Sequence, residues 1–205
     1  MRRQELQTED PALLDQVLAL TGWGLLSLPS DDAWPYAVPV NHVCWEGSIW
    51  VHGAGSGRRF SLVREPAAVQ FTVVREQSLI PSYALGGDLA CPATQFFQSV
   101  MVWGEARYVT DLDRKAQVLQ AFMQRLQPEG RHAPIDAGDP RYLASLKATH
   151  VLEIRPHRRT GKFKFGQNMG DAEAEQVMAF LESRQQPGDL ETVGWMRRMR
   201  RESSD

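Results

Sequence analysis

Short β-rich runs broken by turn formers, three amphipathic helical stretches and the absence of any linker between patterned halves predict a mainly-β domain. The expected form is a small closed or partly closed antiparallel barrel with helices packed outside it. The 205 residues are 42% hydrophobic and include six Trp and eight Phe, enough to fill a sizeable core. A charged fraction of 23% suits an ordinary globular surface and excludes disorder throughout.

Asp10-Pro11 sets a cap before a first-turn proline, and Leu13, Leu14, Val17 and Leu18 then fall on one stripe of an N-terminal helix. Beyond Gly22 the pattern changes to strands over 23–28, 36–45 and 49–52, with Glu46-Gly47-Ser48 as the tightest hairpin turn. Pro39 cannot donate a ladder hydrogen bond, so its strand lies at an edge or is bulged there. His52 to Gly57 forms a glycine-rich loop that leads into a short helix over 58–63. Longer strands are expected over 68–74 and 96–109, separated by a Pro-, Gly- and Ser-rich loop over 76–94. Asp111 and Asp113 open a second amphipathic helix over 110–126, which carries Ala116, Leu119, Phe122, Met123 and Leu126 on one side. A short helix over 141–147, a sixth strand over 149–156 and a last helix over 171–181 follow. The rest, 182–205, is polar enough to be mobile. The expected organisation is a barrel domain over 1–170, then a C-terminal helix and mobile basic tail over 171–205.

A formal charge of −2 and a pI near 6.2 give no overall attraction to nucleic acid or to an anionic membrane. No apolar stretch approaches bilayer-crossing length, and Met1-Arg-Arg-Gln-Glu leads into acidic residues, so a cytoplasmic protein is expected. Cys44 and Cys91 supply neither a disulfide framework nor a Cys-rich zinc site, and no metal site is expected. The chain has no Ser-His-Asp order, and Asp31-Asp32 fall in a turn, so hydrolase chemistry ranks low.

The loop before residue 58 carries the first chemical signal. A glycine-rich turn opening a helix, followed at once by Arg58 and Arg59, offers free amides and guanidinium groups to a phosphate. It lacks the Lys-Ser/Thr ending of a nucleoside-triphosphate loop and the spacing of a dinucleotide fingerprint, which favours a phosphomonoester. A flexible surface loop with solvated arginines fits the same residues.

Five segments together carry a resemblance: Met1-Arg2-Arg3, Tyr36 to Asn41, Ile49 to Ala54 with Gly57-Arg58-Arg59, Gln98 to Gly104, and Gly161 to Asn168. The first four resemble the nitroimidazole-resistance type of the flavin-binding split barrels, within the pyridoxamine-phosphate-oxidase-like superfamily. The last resembles the Lys-rich, Gln-Asn-ending segment of PaiB-like relatives. The resemblance implies a homodimer of six-stranded antiparallel split β-barrels with FMN in clefts at the interface; deazaflavin and haem are the alternative cofactors. It implies flavin contacts from Val40 and Asn41, an edge lined by His52, Gly53 and Ala54, and a phosphate held near Gly57 by Arg58 and Arg59. Gln98, Ser99 and Val100 would touch the ring or ribityl chain, and Lys162, Lys164 and Gln167 would reach the cleft. Trp50, Trp103 and Phe97 would supply apolar walls.

His52 is the candidate catalytic residue, as a proton donor to a nitro or carbonyl group; an orienting role is the alternative. His42 with His52 could instead ligate haem. Trp195 to Arg201 reads as a solvated tail or as a basic segment for nucleic acid or an acidic partner. The leading function is an FMN-dependent, nitroreductase-like oxidoreductase that takes a small aromatic or nitro compound and an electron donor. The alternative is a flavin- or haem-binding sensor or transcriptional regulator without turnover.

Overall fold

Local capping and turn chemistry account for most element boundaries in a computed structural model, which describes residues 3–63 and 66–202. Met1 and Arg2 of the first resembling segment, and 203–205 of the predicted tail, lie outside the described residues. A two-residue strand β1 (Gln7–Thr8) precedes helix α1 (Pro11–Leu20), whose Asp10 Oδ1 accepts from the Ala12 amide at 2.9 Å, as its cap-proline start predicts. Strands β2 (Trp23–Leu28), β3 (Tyr36–Asn41), β4 (Val43–Trp45) and β5 (Ser48–Ala54) follow. Glu46 and Gly47 link β4 to β5 with φ of 48° and 75°, the double positive φ of a two-residue hairpin loop closed by the pair Trp45 and Ser48.

Next come α2 (Arg58–Leu62), β6 (Ala67–Ile80), β7 (Thr94–Val109), α3 (Leu112–Leu126), α4 (Pro140–Ala148), β8 (Thr149–Lys164), α5 (Asp171–Arg184) and α6 (Asp189–Glu202). Asp111 and Asp139 cap α3 and α4 by accepting the Arg114 and Arg141 amides. The described residues thus hold eight strands instead of six: β1 is too short to show a pattern, and the 36–45 run divides at His42. Hydrogen bonding orders them β3-β2-β6-β7-β8-β5-β4, with β1 on β8. Pro39 pairs in unbroken register with Leu25 on the terminal strand of that order, so it is accommodated by an edge and not by a bulge.

Three expectations fail. β6 and β7 shrink the predicted 76–94 loop to 81–93, because Arg75 and Gln77 are strand residues with polar partners. β8 runs through Pro156 to Lys164. The expected mobile tail is the helix α6.

The chain forms two compact units. One comprises Asp15–Val73 and Met101–Arg159, the other Met1–Leu14, Val74–Val100 and Thr160–Asp205. The first unit, called the β5 unit below, centres on Val43, Trp50, Val118, Phe122 and Val151, where α3 covers one face of β5. Each such side chain stabilises the core by roughly 1.5–3 kcal/mol. Lys115 is buried there, its ammonium donating to the Leu146 and Thr149 carbonyls at 3.2 and 2.9 Å, which fastens α3 to the end of α4. In the second unit, called the α6 unit, the Phe165 ring stacks on Trp195 of α6 at 5.6 Å and Phe163 meets it edge-on at the same distance. Val193 and Met196 are buried with them, so α6 is held by an apolar face that its arginine-rich sequence conceals.

Candidate functional site

The end of β5 concentrates the predicted site residues of the β5 unit. His52, Gly53 and Ala54 pair with Val151, His150 and Thr149 of β8. Side chains alternate along a strand, so His52 and Gly53 point to opposite faces. His52 lies on the α3 face, edge-on to Phe122 at 4.4 Å. Gly53 and His150 share the other face. There the Arg59 guanidinium fills the space that a Cβ on Gly53 would take, and the His150 ring does the same at Gly55. Phe60 packs edge-on against His150 at 4.7 Å, and Tyr108 lies 5.2 Å from Phe60 and 5.7 Å from His150. Glycines 53 and 55 therefore permit an arginine, an imidazole and two aromatic rings to close around one stretch of bare backbone.

The electrostatics separate the residues further. Burial, then the neighbouring Arg59 charge, push His52 below its ordinary pKa, which leaves it neutral at pH 7. The Nδ1 atoms of both His52 and His150 are buried without a hydrogen-bond partner. Arg58 is turned elsewhere: it ion-pairs with Asp32, donates to Ser30 Oγ at 3.1 Å and lies 5.3 Å from the Tyr36 ring centroid. Ser30, the Trp34 amide and Arg58 hold Asp32 below the usual carboxylate range. Of the two arginines assigned to a phosphate, only Arg59 lies against the glycines. Gly57 starts α2 at φ 100°, and with five residues that helix has little dipole to offer, so an anion here would rely on Arg59 and loop amides.

Other assignments are redirected. Val40 is a buried strand residue paired with Gly24, and the Asn41 amide donates to the Gly22 carbonyl at 3.2 Å. His42 is fully buried, edge-on to Phe71 at 4.9 Å, with Nε2 2.9 Å from the Leu18 carbonyl; burial drives its pKa down to about 4. Its Nε2 is committed to the Leu18 carbonyl, and its Nδ1 is buried without a partner. Trp50 is core, donating Nε1 to the Trp45 carbonyl at 2.8 Å, and the face of Trp103 is covered by Arg158 at 4.0 Å. Trp50 therefore has no free face for a flavin, whereas Trp103 is half-buried. A cleft of about 470 Å³ in this unit, lined by residues including Asp15, Cys44, Ser48 and Arg159, contains none of the predicted site residues.

Alternation also divides the predicted residues of the α6 unit. Gln98 and Val100 are fully buried, while Ser99 shares the opposite, half-buried face of β7 with Phe97. Gln98 Oε1 accepts from Arg75 at 3.3 Å and Gln77 at 3.2 Å, and its Nε2 is buried without a partner. Lys162 lies 5.4 Å from the Phe97 ring centroid and Lys164 bonds Thr94. Gln167 is spent on its own turn, accepting from the Phe165 amide at 2.8 Å and donating to the Phe163 carbonyl at 2.6 Å.

Sequence reasoning missed His150, Phe60 and Tyr108. The pairing of His150 with Gly53 was the missing signal, and it becomes readable only once the register of β5 and β8 is known. Among the described residues, no group of three or more His, Cys, Asp or Glu could hold a metal ion, and no helix is long and apolar enough to cross a membrane.

The family described as pyridoxamine 5′-phosphate oxidase matches residues 10–163. Among solved structures, the flavocytochrome Anf3 from Azotobacter vinelandii is similar at 21% identity and a TM-score of 0.68, over 85% of this chain and 77% of that one. The FAD and haem binding protein from Mycobacterium smegmatis is similar at 20% identity and 0.67, over 85% and 80%. A candidate 5-nitroimidazole antibiotic resistance protein from Bacteroides thetaiotaomicron gives 16% and 0.61, over 76% and 85%. No curated protein matches by sequence. At these identities the likeness is one of fold: mainly β, of the split-barrel class, with flanking helices.

Proposed function

The chain belongs to the pyridoxamine 5′-phosphate oxidase family of flavin-binding split barrels, and from that premise we propose that it binds FMN and acts as a flavin-dependent oxidoreductase on a small aromatic or nitro compound. The observation that carries this reading is the end of β5, where Arg59 lies against Gly53 on the face that also carries His150, whose buried Nδ1 lacks a partner. Bare glycine backbone next to a guanidinium suits a phosphate, and an unpaired ring nitrogen suits a polar ligand edge. When bound, the flavin would supply hydride and single-electron transfer. The chain's own residues then bind and orient. Arg59 would anchor the phosphate. Arg58 could join it only by leaving Asp32. His52, neutral at pH 7, suits a hydrogen-bonding and orienting role better than that of a strong proton donor.

A homodimer is part of the proposal. Trp23, at 61% exposure, and Leu25, at 42%, lie on the outer face of β2, where Leu25 pairs with the exposed Pro39 of β3. An apolar sheet surface of this kind favours a protein partner over water. For α6, the ion pairs of Arg197 with Glu182 and of Arg200 with Asp171 favour a structural role over recognition of nucleic acid.

The test is an absorption spectrum of the purified protein before and after titration with FMN, repeated for Arg58→Ala with Arg59→Ala. A flavin spectrum saturating near one per chain, weakened at least about tenfold in the double variant, is the expected outcome. A colourless protein that ignores FMN would overturn the reading.

A further inference from the structure

Helix α3 and the edge of the sheet in the β5 unit enclose a hollow of about 300 Å³ that none of the predicted site residues line, and its size suits a small ligand. Ala121, Gln124 and Arg125 stand at i, i+3 and i+4 of α3 and so present one face to it. Val43, Cys44 and Trp45 of β4 line it as well. This strand ends the hydrogen-bonded order, so its outer edge has no neighbouring strand. Trp45 and Ser48 close the hairpin as a bonded pair, which leaves Cys44, in the next pair with Ile49, with its amide turned to that open edge.

Charge narrows what the hollow can take. Among the described residues that line it, Arg125 alone is charged. Its Nη1 donates to the Ala19 carbonyl at 3.0 Å, and the half-buried guanidinium keeps further N–H groups to offer. Two nearby arginines are already neutralised. Arg114 lies over the Trp45 ring at 4.2 Å and pairs with Glu46 at 2.8 Å, while Arg159, in the 470 Å³ cleft that also contains Cys44, pairs with Asp15. Among the described residues, no carboxylate ion-pairs with Arg125. The rest of the wall is apolar apart from the Cys44 sulfur and the exposed Gln124 amide. A guanidinium beside an apolar wall, with amide donors near it and no competing carboxylate, is complementary to an anion that has an apolar body.

We propose that this hollow binds a small monocarboxylate with an apolar body. Arg125 takes the carboxylate, the Gln124 side chain and the Cys44 amide donate to it, and Val43, Trp45 and Ala121 hold the body. One guanidinium matches one carboxylate, and a second negative charge would find no partner here. The site shares no residue with the end of β5 and does not rest on flavin binding there. The competing account is that Arg125 serves only to cap the last turn of α1 through the Ala19 carbonyl.

The experiment is calorimetric titration of the full-length protein with benzoate at low ionic strength, with benzamide and benzylamine as probes of the same shape and different charge. Saturable binding of benzoate is expected, with benzamide and benzylamine at least about tenfold weaker. Arg125→Gln should weaken benzoate about tenfold or more. Gln124→Glu, at an exposed position that leaves the cap intact, sets a carboxylate beside Arg125 and should weaken benzoate by a similar factor while the melting temperature stays the same. Absence of benzoate binding to the wild type would overturn the site, as would equal affinity for the three probes. Loss in Arg125→Gln with benzoate affinity unchanged in Gln124→Glu would reduce Arg125 to a cap of α1 and overturn it too.

Discussion

At the start of α6, Asp189 is 1% exposed and every strong demand it makes is met: Arg184 donates to it at 2.7 and 2.9 Å, Ser78 at 2.6 Å and the Gln186 amide at 2.8 Å. Thr192, one turn on, is bonded to Ser78 and to the Gly188 carbonyl. At the end of β5, the half-buried His52 and His150 each keep a buried Nδ1 with nothing to bind. A network that satisfies itself is complete as architecture, whereas one that does not leaves polar atoms that water or a ligand can take. On the function proposed above, the first region serves fold stability and the second is where a ligand would be recognised.

The largest expected effect would break this comparison if it spread from one region to the other. Asp189→Ala removes the partner of the largely buried Arg184 and should cost about 3–5 kcal/mol in urea unfolding. Flavin affinity of the folded fraction should not change. Loss of both together would mean that the two regions are energetically one.

Acid provides the next test. His42 has an ordinary pKa of 6.5 in the unfolded chain and about 4 in the fold. Between these values the unfolded state holds the extra proton, so stability is intact above pH 6.5 and falls by roughly 3 kcal/mol as pH drops through 4. His42→Gln should flatten most of that slope in unfolding experiments run across pH. His52 shifts in the same direction and, with Asp189 and Glu191, whose arginine partners hold them low, adds to the acid loss; a slope unchanged by the substitution would remove His42 as its origin.

Smaller effects sharpen the β5 end itself. Gly53→Ala forces the flexible Arg59 side chain off the backbone, and a several-fold loss of FMN affinity with an unchanged melting temperature is expected. An equal loss of stability would show that the glycine serves packing. Asp32→Asn weakens the hold on Arg58, and FMN affinity should rise a few-fold if that arginine is then free to reach the phosphate. No change would confine the anchor to Arg59.

Much of the architecture was legible because it is written locally. The Asp10-Pro11 start, the Asp111 cap, the Glu46-Gly47 turn and the edge position of Pro39 each follow from one or two residues and a conformational rule. Errors arose where a long-range partner overrides composition. Arg75 and Gln77 look like loop residues until Gln98 and Glu191 are brought to them, and 182–205 looks mobile until Trp195 and Met196 find Phe163 and Phe165.

By itself the sequence determined the class of fold, the order of its elements and the glycine-arginine stretch after β5, since period, caps and turns act over a few residues. Only the tertiary structure decided which of the candidate side chains share a face. It separated His52 from Gly53 and Ser99 from Gln98, tied Arg58 to Asp32, enclosed His42 and Trp50, and brought in His150, Phe60 and Tyr108. The reason is the pleat: neighbours in sequence point to opposite sides of a strand, and the residues that meet on one side are chosen by register with strands far away in the chain.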